Sequence, residues 1–242
     1  MSLRFHSYDE RPDLEERKAP GLEIWPAFML ESEVSNRCWG LLYERFGAFQ
    51  HFLYDEDADE VVAEVNSVPV RVDLDDLPDR GWEDVLERGT AGAEEPTAVT
   101  AIAVAIRPSR LGQGLSSTCL ERMRDTAGQH GFHDLVAPVR PSWKPRYPLV
   151  PIDRYIGWTT ADGHPFDPWL RTHAKLGATI VRPCHHAMRI EGTVAQWEEW
   201  AGMLFPESGD YVVPGALTLV SIDHEADHGV YVEPNVWMYH RI

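Results

Sequence analysis

Residues 97–140 read TAVTAIAVAIRPSRLGQGLSSTCLERMRDTAGQHGFHDLVAPVR. In the opening part Ile102, Val104 and Ile106 alternate with Ala101, Ala103 and Ala105, the period of a strand with one bulky face and one that admits a close neighbour. Leu111-Gly112-Gln113-Gly114-Leu115-Ser116 follows. Its glycines reach backbone conformations closed to other residues, so successive N–H groups can converge on an anion at the positive end of the next helix. Leu115, Cys119, Leu120, Met123 and Ala127 share one face of that helix, with Glu121, Arg122, Arg124 and Asp125 opposite. Gly128 and Gly131 are stops, and His133 to Val139 reads as a second strand. The order predicts a right-handed crossover between parallel strands. Neither a Walker lysine nor a GxGxxG fingerprint accompanies the turn, which argues against the common nucleotide-binding loops.

Outward from this unit, Arg4 to Pro20 is polar and broken by Pro12 and Pro20, an arm or peripheral element outside the core. Val34, Cys38, Leu41, Leu42 and Phe46 have helical spacing after Glu33. His51 to Tyr54 and Glu60 to Val72 have strand character around an Asp55-Glu56-Asp57 turn, with Asp59 to Val65 also compatible with helix; Trp82 to Leu86 reads as a short helix and Gly89 to Pro96 as a loop. Between Pro138 and Pro168 prolines interleave with Trp143, Tyr147, Tyr155, Trp158 and Phe166, which excludes regular helix and fits either a ring-lined acceptor loop or a stiffened packing loop. Asp167 as N-cap, Pro168 at the first position and Gly177 as stop bracket another helix, followed by a strand over Ala178 to Ile190. Trp197-Glu198-Glu199-Trp200 suggests a short helix, and Ala216 to Ile222 and Gly229 to Tyr239 two final strands.

The chain has 242 residues, 43% of them hydrophobic, enough for one large domain. Its net charge of -17 argues against nucleic acid as a partner and favours a cationic or neutral acceptor. Cys38, Cys119 and Cys184 form no CxxC pair, which points to neither a disulfide framework nor a thiolate metal site and suits a reducing cytoplasm. No apolar run approaches a membrane span, and the charged start lacks the pattern of a secretory signal; Met1-Ser2-Leu3 also reads as a cloning remnant.

Two stretches resemble the GNAT superfamily of acyl-CoA-dependent N-acyltransferases. The family's phosphate turn, Q/R-x-x-G-x-G/A, maps onto Leu111 to Ser116, with Leu111 in place of Gln or Arg, Arg110 one position earlier, and Ser116 for the small residue. The segment His173-Ala174-Lys175-Leu176-Gly177-Ala178 is similar to the family's Tyr-x-Lys-Leu-Gly-Phe. The resemblance implies an α/β fold (α+β) with a mixed central sheet and helices on both faces. A single domain is expected, with a core over about residues 23–190 and a C-terminal extension over about 191–242.

It further implies acetyl-CoA or another acyl-CoA as co-substrate, a small-molecule amine as acceptor, no metal, and a homodimer as one assembly. Backbone at Val104, Ala105 and Ile106 would pair with pantetheine amides, and the N–H groups of Gly112 to Leu115 would hold the pyrophosphate, helped by Arg107, Arg110, Gln113 and Ser116. His173 stands where a proton-donating tyrosine is usual; an imidazole has both protonation states near neutrality, and the alternative is an exposed helical histidine. Glu191 and Glu233 are candidate general bases beside a water-relayed proton, and Trp143, Tyr147, Tyr155 and Trp169 a candidate acceptor wall.

His224-Glu225-Ala226-Asp227-His228 spells HExxH, but its strand-like flanks predict a hairpin, which cannot place two imidazoles on one helix face. Two rival readings remain: an acyl-CoA-binding protein of the same fold without transferase activity, and an interaction module presenting Trp197 and Trp200. Binding of CoA separates the second from the others, and thioester turnover separates enzyme from binder.

Overall fold

A computed structural model describes residues 2–18, 22 and 24–242. Its elements are β1 (Leu3–Ser7), α1 (Asp13–Arg17), α2 (Glu33–Phe46), β2 (Gln50–Asp55), β3 (Glu60–Val70), α3 (Gly81–Ala91), β4 (Ala98–Ile106), α4 (Leu115–Gln129), β5 (Asp134–Val139), α5 (Ile152–Tyr155), α6 (Pro168–Lys175), β6 (Thr179–Gly192), α7 (Val194–Ala201), β7 (Gly209–Tyr211), β8 (Val220–Asp223) and β9 (His228–Arg241). The nine strands form one mixed sheet in the order β1-β2-β3-β4-β5-β9-β8-β7, with β6 on the other edge of β9. Among the described residues only β4 and β5 are parallel, joined through α4 as the glycine turn predicted.

Local chemistry explains the helix starts. The Ser32 hydroxyl accepts from Ser35 N at 3.2 Å to cap α2, and Val34, Cys38 and Leu42 give it a buried stripe. Asp167 caps α6, accepting from Trp169 N at 2.9 Å and Leu170 N at 3.2 Å, and Pro168 fills a position where no backbone donor is needed. Helices α2 and α3 pack on one face of the sheet with Val85, Leu86, Ile102 and Ala105 in the largest core cluster. On the other face α4 meets α6, and Leu115, Cys119, Leu120 and Met123 pack with Ile106 and Leu135. Each of the Val, Leu, Ile and Met side chains among them contributes roughly 1.5–3 kcal/mol on leaving water.

Several expectations are corrected. The N-terminal stretch is no loose arm: β1 pairs with β2 from Leu3 to Ser7 and Leu14 is fully buried, while Met1, Pro20 and Glu23 lie outside the described residues. Glu60 to Val65 takes the strand alternative, and Asp59 is a turn residue with a φ of 54°. Helix α3 runs on to Ala91, and Gly89 within it lies so close to Val68 that a Cβ there would stand 2.7 Å from its Cγ1. Residues Ala216 and Leu217 are buried in a turn instead of opening a strand. The supposed C-terminal extension includes β9, which inserts between β5 and β6. Trp197 is fully buried, so it presents nothing to a partner. Among the described residues no helix is long and apolar enough to cross a membrane.

Candidate active site

Strands β4 and β5 pair only at Val99–Leu135 and Thr100–Val136, and then diverge. A bulge is the cause. Ala101 faces Ser67 and Ala103 faces Asn66, so Ile102 is an extra residue on β4 that bends the strand away from its parallel neighbour. Its carbonyl accepts from Trp82 Nε1 of α3 at 2.9 Å, which fixes the distortion. Beyond the bulge β3 still occupies one edge of β4: Arg107 N donates to Val62 O at 2.9 Å. Peptide groups alternate between edges, so Ala105 also faces β3, whereas Val104 and Ile106 turn theirs into the fork. That open edge can receive an extended amide-bearing arm as it would a strand.

The fork leads to the glycine turn. Gly112 and Gly114 have φ of 79° and 77°, and open space surrounds the position of a Cβ at both. Gly114 is the N-cap of α4, and no side chain caps that end. Left-handed glycines, clearance for a ligand and an uncapped helix start together fit a pyrophosphate group. Gln113 is exposed and Ser116 half-buried at the same turn. The arginines are already engaged: Arg110 contacts Asp55 at 2.9 Å and Glu60 at 3.1 Å, and Arg107 contacts Glu60 at 2.8 Å. Both guanidiniums therefore tie the turn to β2 and β3.

The aromatic segment divides. Trp169, on α6, packs against the clusters on both sides of the fork, as does Ala101 of β4. Tyr147, Tyr155, Trp158 and Phe166 pack on one another, edge to face or tilted, and Trp143 joins through Phe166. Tyr155 is buried and donates to Asp167 at 2.9 Å; burial pushes its hydroxyl pKa up. Asp167 also accepts from Trp143 N at 2.7 Å, so this cluster orients the start of α6. Lys144, fully buried, donates to the carbonyls of Tyr147 and Leu217, and burial pushes its ammonium down to about 8.

His173 is neither an exposed helical residue nor a group with both protonation states at neutrality. It is 1% exposed, its Nδ1 lies 2.9 Å from His240 Nε2, and burial pushes its pKa well below the usual histidine value, so the ring is neutral. Trp169 packs edge-on against it at 4.5 Å. Glu233 is buried: Arg140 Nε donates to it at 2.9 Å and Tyr231 Oη at 2.9 Å, so its carboxylate is committed. Glu191 lies at the other end of the β6–β9 ladder, opposite Val230, ion-paired with Arg189 at 2.7 Å and exposed. The Arg189 guanidinium holds its carboxyl below the usual range. The structure thus does not bring His173, Glu191 and Glu233 together.

The HExxH residues form the β8–β9 hairpin turn. His224 Nε2 lies 2.6 Å from Phe205 O, and His228 pairs with Glu191 at 3.2 Å. Among the described residues no three His, Cys, Asp or Glu side chains gather as metal ligands.

Sequence reasoning missed Trp82, His240 and Thr100, whose buried hydroxyl has no hydrogen-bond partner at the closed end of the fork. An indole beside a glycine in Gly81-Trp82 carries no local signal of a bond to a strand twenty residues on.

No family model matches the sequence. The arginine N-acetyltransferase avaD of Aspergillus versicolor is 34% identical over 266 residues, covering 96% of this chain and 91% of that protein. Among solved structures, the loading GNATL domain of CurA from Lyngbya majuscula superimposes with a TM-score of 0.58 at 19% identity, over 100% of this chain and 98% of that one. The GphF GNAT-like decarboxylase, in complex with isobutyryl-CoA, gives 0.56 at 16% identity over 100% and 99%. These two likenesses bear on the fold. Identity of the extent shared with avaD, along nearly the whole length, places the chain in the GNAT superfamily as an acyl-CoA-dependent N-acyltransferase.

Proposed function

We propose that this protein transfers the acetyl group of acetyl-CoA to the primary amine of arginine or a close cationic analogue, in the cytoplasm. The open edge of β4, running from the Ile102 bulge into the uncapped start of α4, is the observation that carries the reading. The arginine N-acetyltransferase relative supplies the acceptor class. Three buried, unpaired cysteines suit a reducing compartment.

Bound acetyl-CoA supplies the activated thioester carbonyl. Val104 and Ile106 align its arm through their free peptide groups, and the N–H groups of Gly112 to Leu115 take the pyrophosphate with Gln113 and Ser116 beside them. Arg107 and Arg110, held by Glu60 and Asp55, keep the turn in shape. Trp169 walls the fork, with Tyr147 and Tyr155 behind it and Trp143 joined through Phe166. The amine attacks the carbonyl carbon, a C–N bond forms, the C–S bond breaks to release the CoA thiolate, and the proton lost by nitrogen passes through water to that thiolate. The committed carboxylate of Glu233 and the remote one of Glu191 support that relay over a single protein base.

Calorimetric titration of acetyl-CoA into the protein and into Gly114→Trp, with thiol release on adding arginine, tests the reading. Binding that the variant abolishes, and thiol release that requires arginine, are expected. Failure of the parent protein to bind acetyl-CoA overturns it.

A further inference from the structure

On the α2 side of the sheet, one strand away from the fork, β3 carries two buried polar residues, Glu64 and Asn66. Their register partners on β4 are the small residues Ala105 and Ala103, beside the open edge. Tyr43 of α2 closes the group: its hydroxyl donates to Glu64 and accepts from Asn66 Nδ2 at 3.0 Å. Lys18, following α1, places its ammonium 3.0 Å from Glu64 Oε1 and 5.2 Å from the centre of the Tyr43 ring, and 3.4 Å from Glu15. A cation is thus already held by a carboxylate and an aromatic face.

One atom is left over. Asn66 is 1% exposed, and its Oδ1 has no hydrogen-bond partner among the described residues. A buried amide oxygen without a donor is costly, and an ammonium engaged by Glu64 and Glu15 does not supply one. A planar guanidinium does have enough donors: it can place two N–H groups on Glu64, direct another toward the Asn66 oxygen, and lay its face against Tyr43.

We infer that Glu64, Asn66 and Tyr43 form a guanidinium subsite for the acceptor, occupied by the Lys18 ammonium when no acceptor is bound. The inference rests on the proposed transfer to arginine and deepens it. Adjacent strands lie about 4.8 Å apart, so the subsite is roughly two strand spacings from the line of the acyl arm, the scale of an extended arginine side chain. Lys18 is then a competing internal ligand whose departure accompanies acceptor binding, and the neutral ureido analogue citrulline lacks the charge that displaces it.

The test compares acetylation of arginine and citrulline by the parent protein, Glu64→Gln and Lys18→Met, with thermal melts to verify folding. In the parent, kcat/KM favours arginine; Glu64→Gln is expected to reduce the arginine-to-citrulline ratio at least tenfold, through KM. Lys18→Met, which removes the competitor, is expected to lower the KM for arginine severalfold. A ratio unchanged in Glu64→Gln, or a raised arginine KM in Lys18→Met, overturns the subsite while leaving the transferase reading intact. If the parent acetylates neither compound, the transfer reading fails, and calorimetric titration of both decides the subsite: preference for arginine lost in Glu64→Gln supports it, and equal or absent binding overturns it.

Discussion

The Trp82 indole nitrogen donates at 2.9 Å to the carbonyl of Ile102, the extra residue in the β4 bulge. A helix on one face of the sheet thereby holds open a fork whose other face is covered by α4 and α6. The opening is a consequence of tertiary contact as much as of the strand's own sequence.

Replacing that indole separates the bond from the packing. Trp82→Phe keeps an aromatic ring in the core but leaves the Ile102 carbonyl without its donor, at about 1–3 kcal/mol. The expected outcome is a lower melting temperature with a raised KM for acetyl-CoA. A melting shift with an unchanged KM would separate the bulge from cofactor binding.

Gly89→Val tests the close approach of α3 to β3. A Cβ at that position would meet Val68 Cγ1 at 2.7 Å, and backbone as well as side chain must move. Overpacking of this kind costs about 1–3 kcal/mol, readable as a reduced urea midpoint.

Glu233→Gln distinguishes a structural carboxylate from a catalytic base. The variant retains hydrogen-bonding capacity but leaves Arg140 without its charge partner in a buried setting. A loss of about 3–5 kcal/mol, and a melting temperature lower by about 6–20 °C, is expected. The pH profile of kcat should keep its shape, whereas loss of its acidic limb would reinstate Glu233 as base.

Acid should weaken the fold before the ordinary carboxylates titrate. Burial pushes His51 and His240 down to about 4 from the usual 6.5. Between those values the unfolded chain binds more protons than the folded one, so this contribution is present above pH 6.5 and is lost as the pH falls toward 4. Each histidine accounts for up to roughly 3 kcal/mol over the full window. His185 acts in the opposite sense, since Asp153 and Asp79 raise its pKa, but it is nearly half exposed and solvent screens the effect. Urea unfolding at pH 7.5 and 5.0 should show a clear loss of stability, with a smaller pH dependence in His240→Gln. Equal stability at the two pH values would contradict buried neutral imidazoles.

The strand, glycine turn, helix and second strand over residues 97–140 were legible because each depends on neighbours along the chain: a period of two, a period of 3.6, and glycines where φ must be positive. The caps at Ser32 and Asp167 are equally local, each bonding to backbone within three residues. Gly89 reads as loop from its neighbours alone, because what requires a glycine there is Val68 of another element.

Sequence by itself determined the crossover unit, the shape of the glycine turn and the family likeness, since these are written in short-range backbone preferences and ordered motifs. Only the tertiary structure decided which groups are chemically available. His173 is neutral because His240, 67 residues away, and the surrounding core bury it, and Glu233 is committed because Arg140, 93 residues away, meets it. The state of a charged or titratable side chain is set by desolvation and by its partners, and long-range sheet pairing brings both to a residue without leaving any mark on the adjacent sequence.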